Sequence, residues 1–302
     1  MIYYIGNKGL SADISCCINA TTDFAVSYLK DKEVLGVDTE TEGMDFTSKK
    51  MIMFQIGDKT HQFIFDTRVA SIEPLREILE SKKIIKILHN AKFDYKFIKK
   101  WANIELSNVY DTFLTERVIH CGKNDVRYGL KHLVQKYFNE ELDKDVRNKF
   151  VNLQGQPYTD RQMRYGAKDV EYLINIKSLQ EPQIAKKQLE NVVQLENKAV
   201  LAFSEIEYNG LDLDVDKFVL KYVQGDLFED TTQLRKVGVN WDSPKQALEV
   251  LKTIVPKLEN VNGKELYKYK NRYTLIKKYI EYKEYMKLCT SYGEKFFKYL
   301  KS

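Results

Sequence analysis

The chain has 302 residues, 43% of them hydrophobic and 30% charged, with a net charge of +5, enough for a sizeable core and more than one domain. No apolar run approaches the roughly 20 residues of a membrane span, and the opening "MIYYIGNKGL" lacks the regions of a signal peptide, so the expectation is a cytoplasmic protein with no membrane partner. Residues 241–302 carry 14 Lys or Arg against 7 Asp or Glu and the remainder 34 against 36, which points to a polyanion partner for the C-terminal segment or to a lysine-rich solvated helix face.

In chain order, "MIYYI" reads as a strand and "TTDFAVSYLKD" as a helix capped by Thr21 or Thr22. "EVLGVDTET", "KMIMFQIGD" and "HQFIFDT" follow as strands, and "SIEPLREILES" as a helix capped by Ser71 with Pro74 in its first turn. "KKIIKILH" is a short apolar strand and "NAKFDYKFIKKWA" a helix capped by Asn90. Helices then begin at Asp111, in "RYGLKHLVQKYF", and at the capping box of Thr159 and Gln162. "IAKKQLENVVQLENKAVLAFSEIEYNG" reads as one helix ended by Asn209 and Gly210, followed by helices in "VDKFVLKYVQGDLFEDTTQLRK", "SPKQALEVLKTI" and "RYTLIKKYIEYKEYMKLCTSYGEKFFKYLK". The pattern predicts an α/β domain with a mixed sheet over residues 1–185 and an all-α part over residues 186–302.

Cys16, Cys17, Cys121 and Cys289 fit no zinc spacing, and the histidines form no ligand pair. They read as reduced thiols, and any metal must be held by oxygen ligands and be a hard ion. "VDTET" projects Asp38 and Glu40 to one face of a strand. Two carboxylates about 4 Å apart repel by roughly 4 kcal/mol at an effective dielectric of about 20, a penalty a divalent cation between them removes. "LHNAKFD" places Asp94 one turn into a helix, and "YGAKD" places Tyr165 and Asp169 on one helix face. Singly, these acids read equally as a solvated strand edge, a helix-dipole acid and an exposed helical acid. Together they supply four carboxylates and a phenol. That set suits two Mg2+ or Mn2+ ions about 4 Å apart and in-line attack on a phosphodiester. With an unperturbed pKa of about 10, the phenol aims the nucleophile rather than acting as its base.

In these motifs the chain resembles the DEDD 3'-5' exonucleases, in the subgroup with tyrosine in the third motif, over roughly residues 1–185; "YDTFLTERVI" and "GLKHLVQKYF" resemble further segments of proofreading domains. The resemblance implies a ribonuclease-H-like fold, Asp38, Glu40, Asp94 and Asp169 as metal ligands, and Tyr165 positioning the attacking water. It also implies that Met44 wedges against the terminal base and that Asn90 contacts the single strand. The plainer readings are a loop methionine over the core and a helix cap. His89 and Asp111 take no catalytic role, and Lys144 and Arg147 are surface residues that could touch phosphates.

The C-terminal third resembles the thumb of family-A DNA polymerases of the DNA polymerase I type, on "QLENKAVLAFSEIEYNGLDLDVDKF", "VNWDSPKQALEVLK" and "IKKYIEYKEYMKLCTSYGEKF". By that resemblance Lys278, Lys283 and Lys287, with Arg272 and Lys277, track the backbone of a primer–template duplex; as an ordinary bundle helix the same segment would turn its tyrosines inward. Nothing later in the sequence matches palm aspartates or a fingers helix. The expectation is therefore a chain that does not synthesise DNA alone: it works beside a separate palm and fingers chain, is a fragment, or is a nuclease with a thumb-like clamp. The leading reading is a proofreading exonuclease on single-stranded DNA 3' ends. The alternatives are a ribonuclease D-like RNA exonuclease and a non-catalytic assembly subunit of a split polymerase.

Overall fold

The strand signals of the first 111 residues resolve into one mixed sheet. The computed structural model describes residues 1–7, 14–142, 146, 150, 153, 155–210 and 239–292. Within them, seven strands are β1 (Ile2–Ile5), β2 (Ile18–Asn19), β3 (Val34–Thr41), β4 (Met51–Gly57), β5 (Gln62–Asp66), β6 (Ile85–Leu88) and β7 (Val109–Asp111), in the order β2-β1-β5-β4-β3-β6-β7. β4 runs antiparallel to β3 and β5, and the other pairings are parallel. β2 and β7 went unseen in the sequence because two or three residues are too few to show an alternation.

The helices of this part are α1 (Thr22–Leu29), α2 (Arg76–Leu79), α3 (Ala91–Ala102), α4 (Thr112–Ile119), α5 (Leu130–Phe138), α6 (Asp160–Lys187) and α7 (Glu190–Asn209). Thr21 caps α1, and Thr159 with Gln162 forms the predicted capping box on α6. The helix predicted at Ser71 is instead a 3-10 turn, Glu73–Leu75, running into the single turn of α2; the Ser71 hydroxyl accepts from the Glu73 N–H at 3.1 Å.

A further expectation needs correction. Residues 184–210 are not one helix: α6 continues through Pro182 and ends with Gln188 in the left-handed region at φ 56°. The Leu189 N–H donates to the Ile184 carbonyl and the Gln188 N–H to the Ala185 carbonyl, each at 3.1 Å, while Leu189 packs with Ile184. This is a Schellman closure built without glycine, which the sequence does not advertise. The chain divides into compact units at Met1–Asn209 and Gly210–Ser302. The reason is α7, which turns Val193, Asn197, Val200 and Ser204 inward and adds Val200 to the main core. It is clamped to α3 by Lys92 and Lys96 on Glu207, and by Lys99 and Tyr95 on Glu205.

The sheet's main core lies on the side of Leu35, Val37, Phe54 and Phe65, under α1 and α3. On the other side α6 comes down onto β3 and β4 so closely that only glycine fits at two points. A methyl group at Gly36 would lie 2.7 Å from the Val170 carbonyl oxygen, and one at Gly166 would lie 2.8 Å from Gln55 Nε2. Gly36→Ala should therefore lift α6 from the sheet and lower stability by about 1–3 kcal/mol, read as an earlier midpoint in urea.

The second compact unit is helical. Helices α8 (Pro244–Lys252), α9 (Gly263–Tyr267) and α10 (Thr274–Tyr292) surround Trp241, Leu251, Leu258, Ile276, Tyr279 and Tyr282. The helix expected in "VDKFVLKYVQGDLFEDTTQLRK", together with Lys144 and Arg147, lies outside the described residues. Among the described residues no helix is long and apolar enough to cross a membrane.

Candidate active site

β3 delivers the first pair of acids. Residues Gly36, Asp38 and Glu40 share the strand face covered by α6, so Gly36 admits the helix and the two acids meet it. Gly166 allows the same approach on β4, and Asp169 follows one turn later. One carboxylate oxygen each from Asp38, Glu40 and Asp169 lies within 4.8 Å of the others. Glu40 and Asp169 are buried and Asp38 half-buried. At such distances each pair repels by roughly 3 kcal/mol at an effective dielectric of about 20. Purely oxygen donors, gathered and desolvated, fit a hard divalent cation such as Mg2+ or Mn2+.

Asp94 enters from the first turn of α3, where it is 3% exposed. The Thr39 hydroxyl donates to its Oδ1 at 2.6 Å. Burial, and then the charge of Asp38, push the Asp94 carboxyl well above the usual carboxylate range, while the Thr39 hydrogen bond pulls it back. Asp94 is not among the three acids whose oxygens lie within 4.8 Å of one another. Tyr165 lies four residues before Asp169 on α6, half-buried, with its ring 6.3 Å from that of Phe150.

Asn90 does not cap α3, and here the sequence reading is corrected. Its backbone is left-handed, at φ 65°, and its side chain makes no cap bond. Asp111, at the end of the neighbouring strand β7, does the capping: its carboxylate accepts from the Asn90 and Ala91 N–H groups at 3.0 and 2.8 Å. It also caps its own helix, accepting from Phe113 and Leu114. The Asp111 N–H in turn donates to Asn197 Oδ1 of α7 at 2.6 Å. Asn90 is thereby left exposed at the head of α3.

Met44 is 73% exposed on the loop after β3. That loop is pinned by the Thr41 hydroxyl on the Gly43 carbonyl and by Trp101 Nε1 on the Lys49 carbonyl. Met44 is thus not a core-covering residue. His89 Nδ1 lies 2.9 Å from Thr112 Oγ1, whose hydroxyl donates to the Leu88 carbonyl, so the imidazole N–H is the donor in the first contact. In unit two, Lys278 is half-buried and Lys283 and Lys287 exposed, whereas Tyr279 and Tyr282 belong to the core. Tyr279 and Tyr282 are thus packing residues. Cys16, Cys17 and Cys121 are free thiols, as expected.

The sequence reading passed over Thr39, Gln55, Gly36 and Gly166. A signal existed for Gln55, a lone polar residue in the otherwise apolar "MIMFQIG" of a strand buried throughout.

Comparison with known proteins agrees with this arrangement. A family model described as 3'-5' exonuclease matches residues 18–185. Ribonuclease D of Haemophilus influenzae is 28% identical over 173 residues, covering 57% of this chain and 42% of that protein. DNA polymerase DpoZ of Vibrio phage phiVC8 is 26% identical over 249 residues, covering 72% of this chain and 39% of the polymerase. The chain thus spans about two fifths of the length of these curated relatives. Among solved structures, Brucella melitensis NrnC with bound Mg2+ superposes with a TM-score of 0.55 at 16% identity, over 71% of this chain and 98% of NrnC, a likeness of fold. The mixed sheet flanked by helices is the ribonuclease-H-like exonuclease fold expected from the sequence. With the match running over more than half of its length, and Asp38, Glu40 and Asp169 gathered on the α6 side of the sheet, the chain belongs to the 3'-5' exonuclease family.

Proposed function

We propose that this chain hydrolyses single-stranded nucleic acid from the 3' end, with Asp38, Glu40, Asp94 and Asp169 holding divalent cations and Tyr165 aiming the attacking water. The observation that carries the proposal is the convergence of Asp38, Glu40 and Asp169 within 4.8 Å. Divalent cations bound there supply Lewis acidity toward the phosphoryl oxygens and a nucleophilic water. The Tyr165 hydroxyl, on the same helix face as Asp169, orients the attack. Exposed Asn90 contacts the sugar-phosphate of the incoming strand, and Met44 packs against the last base. In unit two, Lys283 and Lys287 follow the nucleic-acid backbone, together with Lys278.

The ribonuclease D likeness favours RNA 3' ends over the DNA ends expected from the sequence. The second reading, DNA 3' ends in the service of a separate polymerase chain, has one observation of its own. The DpoZ alignment takes in 72% of the chain and so reaches beyond residue 185, where the family match stops. Matched RNA and DNA oligonucleotides, 5'-labelled and incubated with Mg2+, decide between them. RNA trimming is expected to run at least about tenfold faster, a preference of about 1.4 kcal/mol in the transition state; faster DNA trimming would transfer the assignment to the second reading. Met44→Ala should raise KM on single strands several-fold and leave kcat within about twofold, because the side chain touches a base and not the scissile bond.

A further inference from the structure

Gln55 lies at the middle of β4, directly opposite Asp38 of β3, and is 0% exposed. Among the described residues neither its Oε1 nor its Nε2 has a hydrogen-bond partner. A primary amide buried without partners is penalised by several kcal/mol, and such groups are rare in folded proteins. Its surroundings explain the isolation. On its other flank Gln55 faces Ile64 of β5, and above it lies Gly166, which has no side chain to offer. The nearby Met53 sulfur is a weak acceptor at best. Asp38 is the charged group in direct register. Directly opposed residues of an antiparallel pair have Cβ atoms about 4.5–5.5 Å apart on the same face, a gap the glutamine side chain spans.

We propose that Gln55 is a positioning residue, whose Nε2–H donates to the Asp38 carboxylate once a divalent cation is held by the acidic cluster. Bound to a cation, Asp38 keeps the lone pairs that do not face the ion, and the buried amide is placed to take one of them. The donated hydrogen bond fixes which oxygen turns to the cation, as outer hydrogen bonds do for metal ligands generally. This inference rests on the proposed metal-holding role of Asp38, Glu40 and Asp169.

The test is a Mn2+ titration of the full chain, followed by electron paramagnetic resonance, beside thermal unfolding without metal. Gln55→Met keeps the volume and removes the amide. It should unfold at the same or a higher temperature without metal, since an unpartnered polar group is gone, and bind Mn2+ about 10–100-fold more weakly. Gln55→Glu removes the donor and sets a further acid beside Asp38, and should also weaken Mn2+ binding. A Gln55→Met protein that binds Mn2+ like the wild type, or that unfolds earlier or fails to fold, overturns the proposal and leaves the site reading intact. Tighter binding by Gln55→Glu overturns it in favour of direct coordination by residue 55. A wild-type chain that binds no Mn2+ overturns the site reading and this inference with it.

Discussion

Asp38→Asn is expected to lower the single-turnover cleavage rate by about a thousandfold or more while making the metal-free protein more stable. The two effects have opposite signs because one carboxylate serves both. Asp38 shares its site with Glu40 and Asp169, with oxygens within 4.8 Å, and its charge raises the proton affinity of buried Asp94. Removing that charge relieves the repulsion in the absence of metal. The same change takes one of the three gathered carboxylates from the proposed cation site, and the Lewis-acid contribution at such a site is several kcal/mol, hence a factor of about 10³. Thermal unfolding with and without Mg2+ checks the stability half: the wild type should gain several degrees on adding the cation and the variant almost none. An active Asp38→Asn protein, or one less stable without metal than the wild type, would refute the role given to this residue.

Asp111→Ala should produce the largest loss of stability of any single change considered, about 3–5 kcal/mol. The side chain is 1% exposed and its two oxygens accept from four backbone N–H groups at the heads of two helices. Burial raises its carboxyl pKa and the four N–H groups oppose that rise. Alanine leaves all four donors buried or half-buried without this acceptor. The effect reaches the active site because one of the capped helices, α3, carries Asp94 and begins at Asn90. Urea denaturation measures the loss. Amide hydrogen exchange adds a more specific reading: protection at residues 91–95 should fall further than protection in β4. Uniform loss across the sheet would mean that Asp111 stabilises the domain without aiming motif two.

The helices that were readable in the sequence carry their punctuation locally. Thr21 caps α1, and Thr159 with Gln162 closes a capping box within four residues of chain. The capping of α3 was misread because its acceptor, Asp111, comes from β7, a strand three residues long and 20 positions away. The break at Gln188 was missed for a related reason: the left-handed residue is a glutamine, held there by Leu189 packing on Ile184 and not by its own preference.

The sequence by itself determined the chemistry on offer. Four acids and a tyrosine in ordered motifs, on a pattern of alternating strands and helices, specify oxygen ligands and the elements that carry them, because side-chain direction along a strand or helix follows from local periodicity. Only the tertiary structure decided which groups meet. The approach of α6 through Gly36 and Gly166, the capping of α3 from the neighbouring strand β7, and the stranded amide of Gln55 opposite Asp38 all depend on contacts between segments far apart in the chain. Local patterns hold no information on such separations, since close packing, rather than periodicity, sets them.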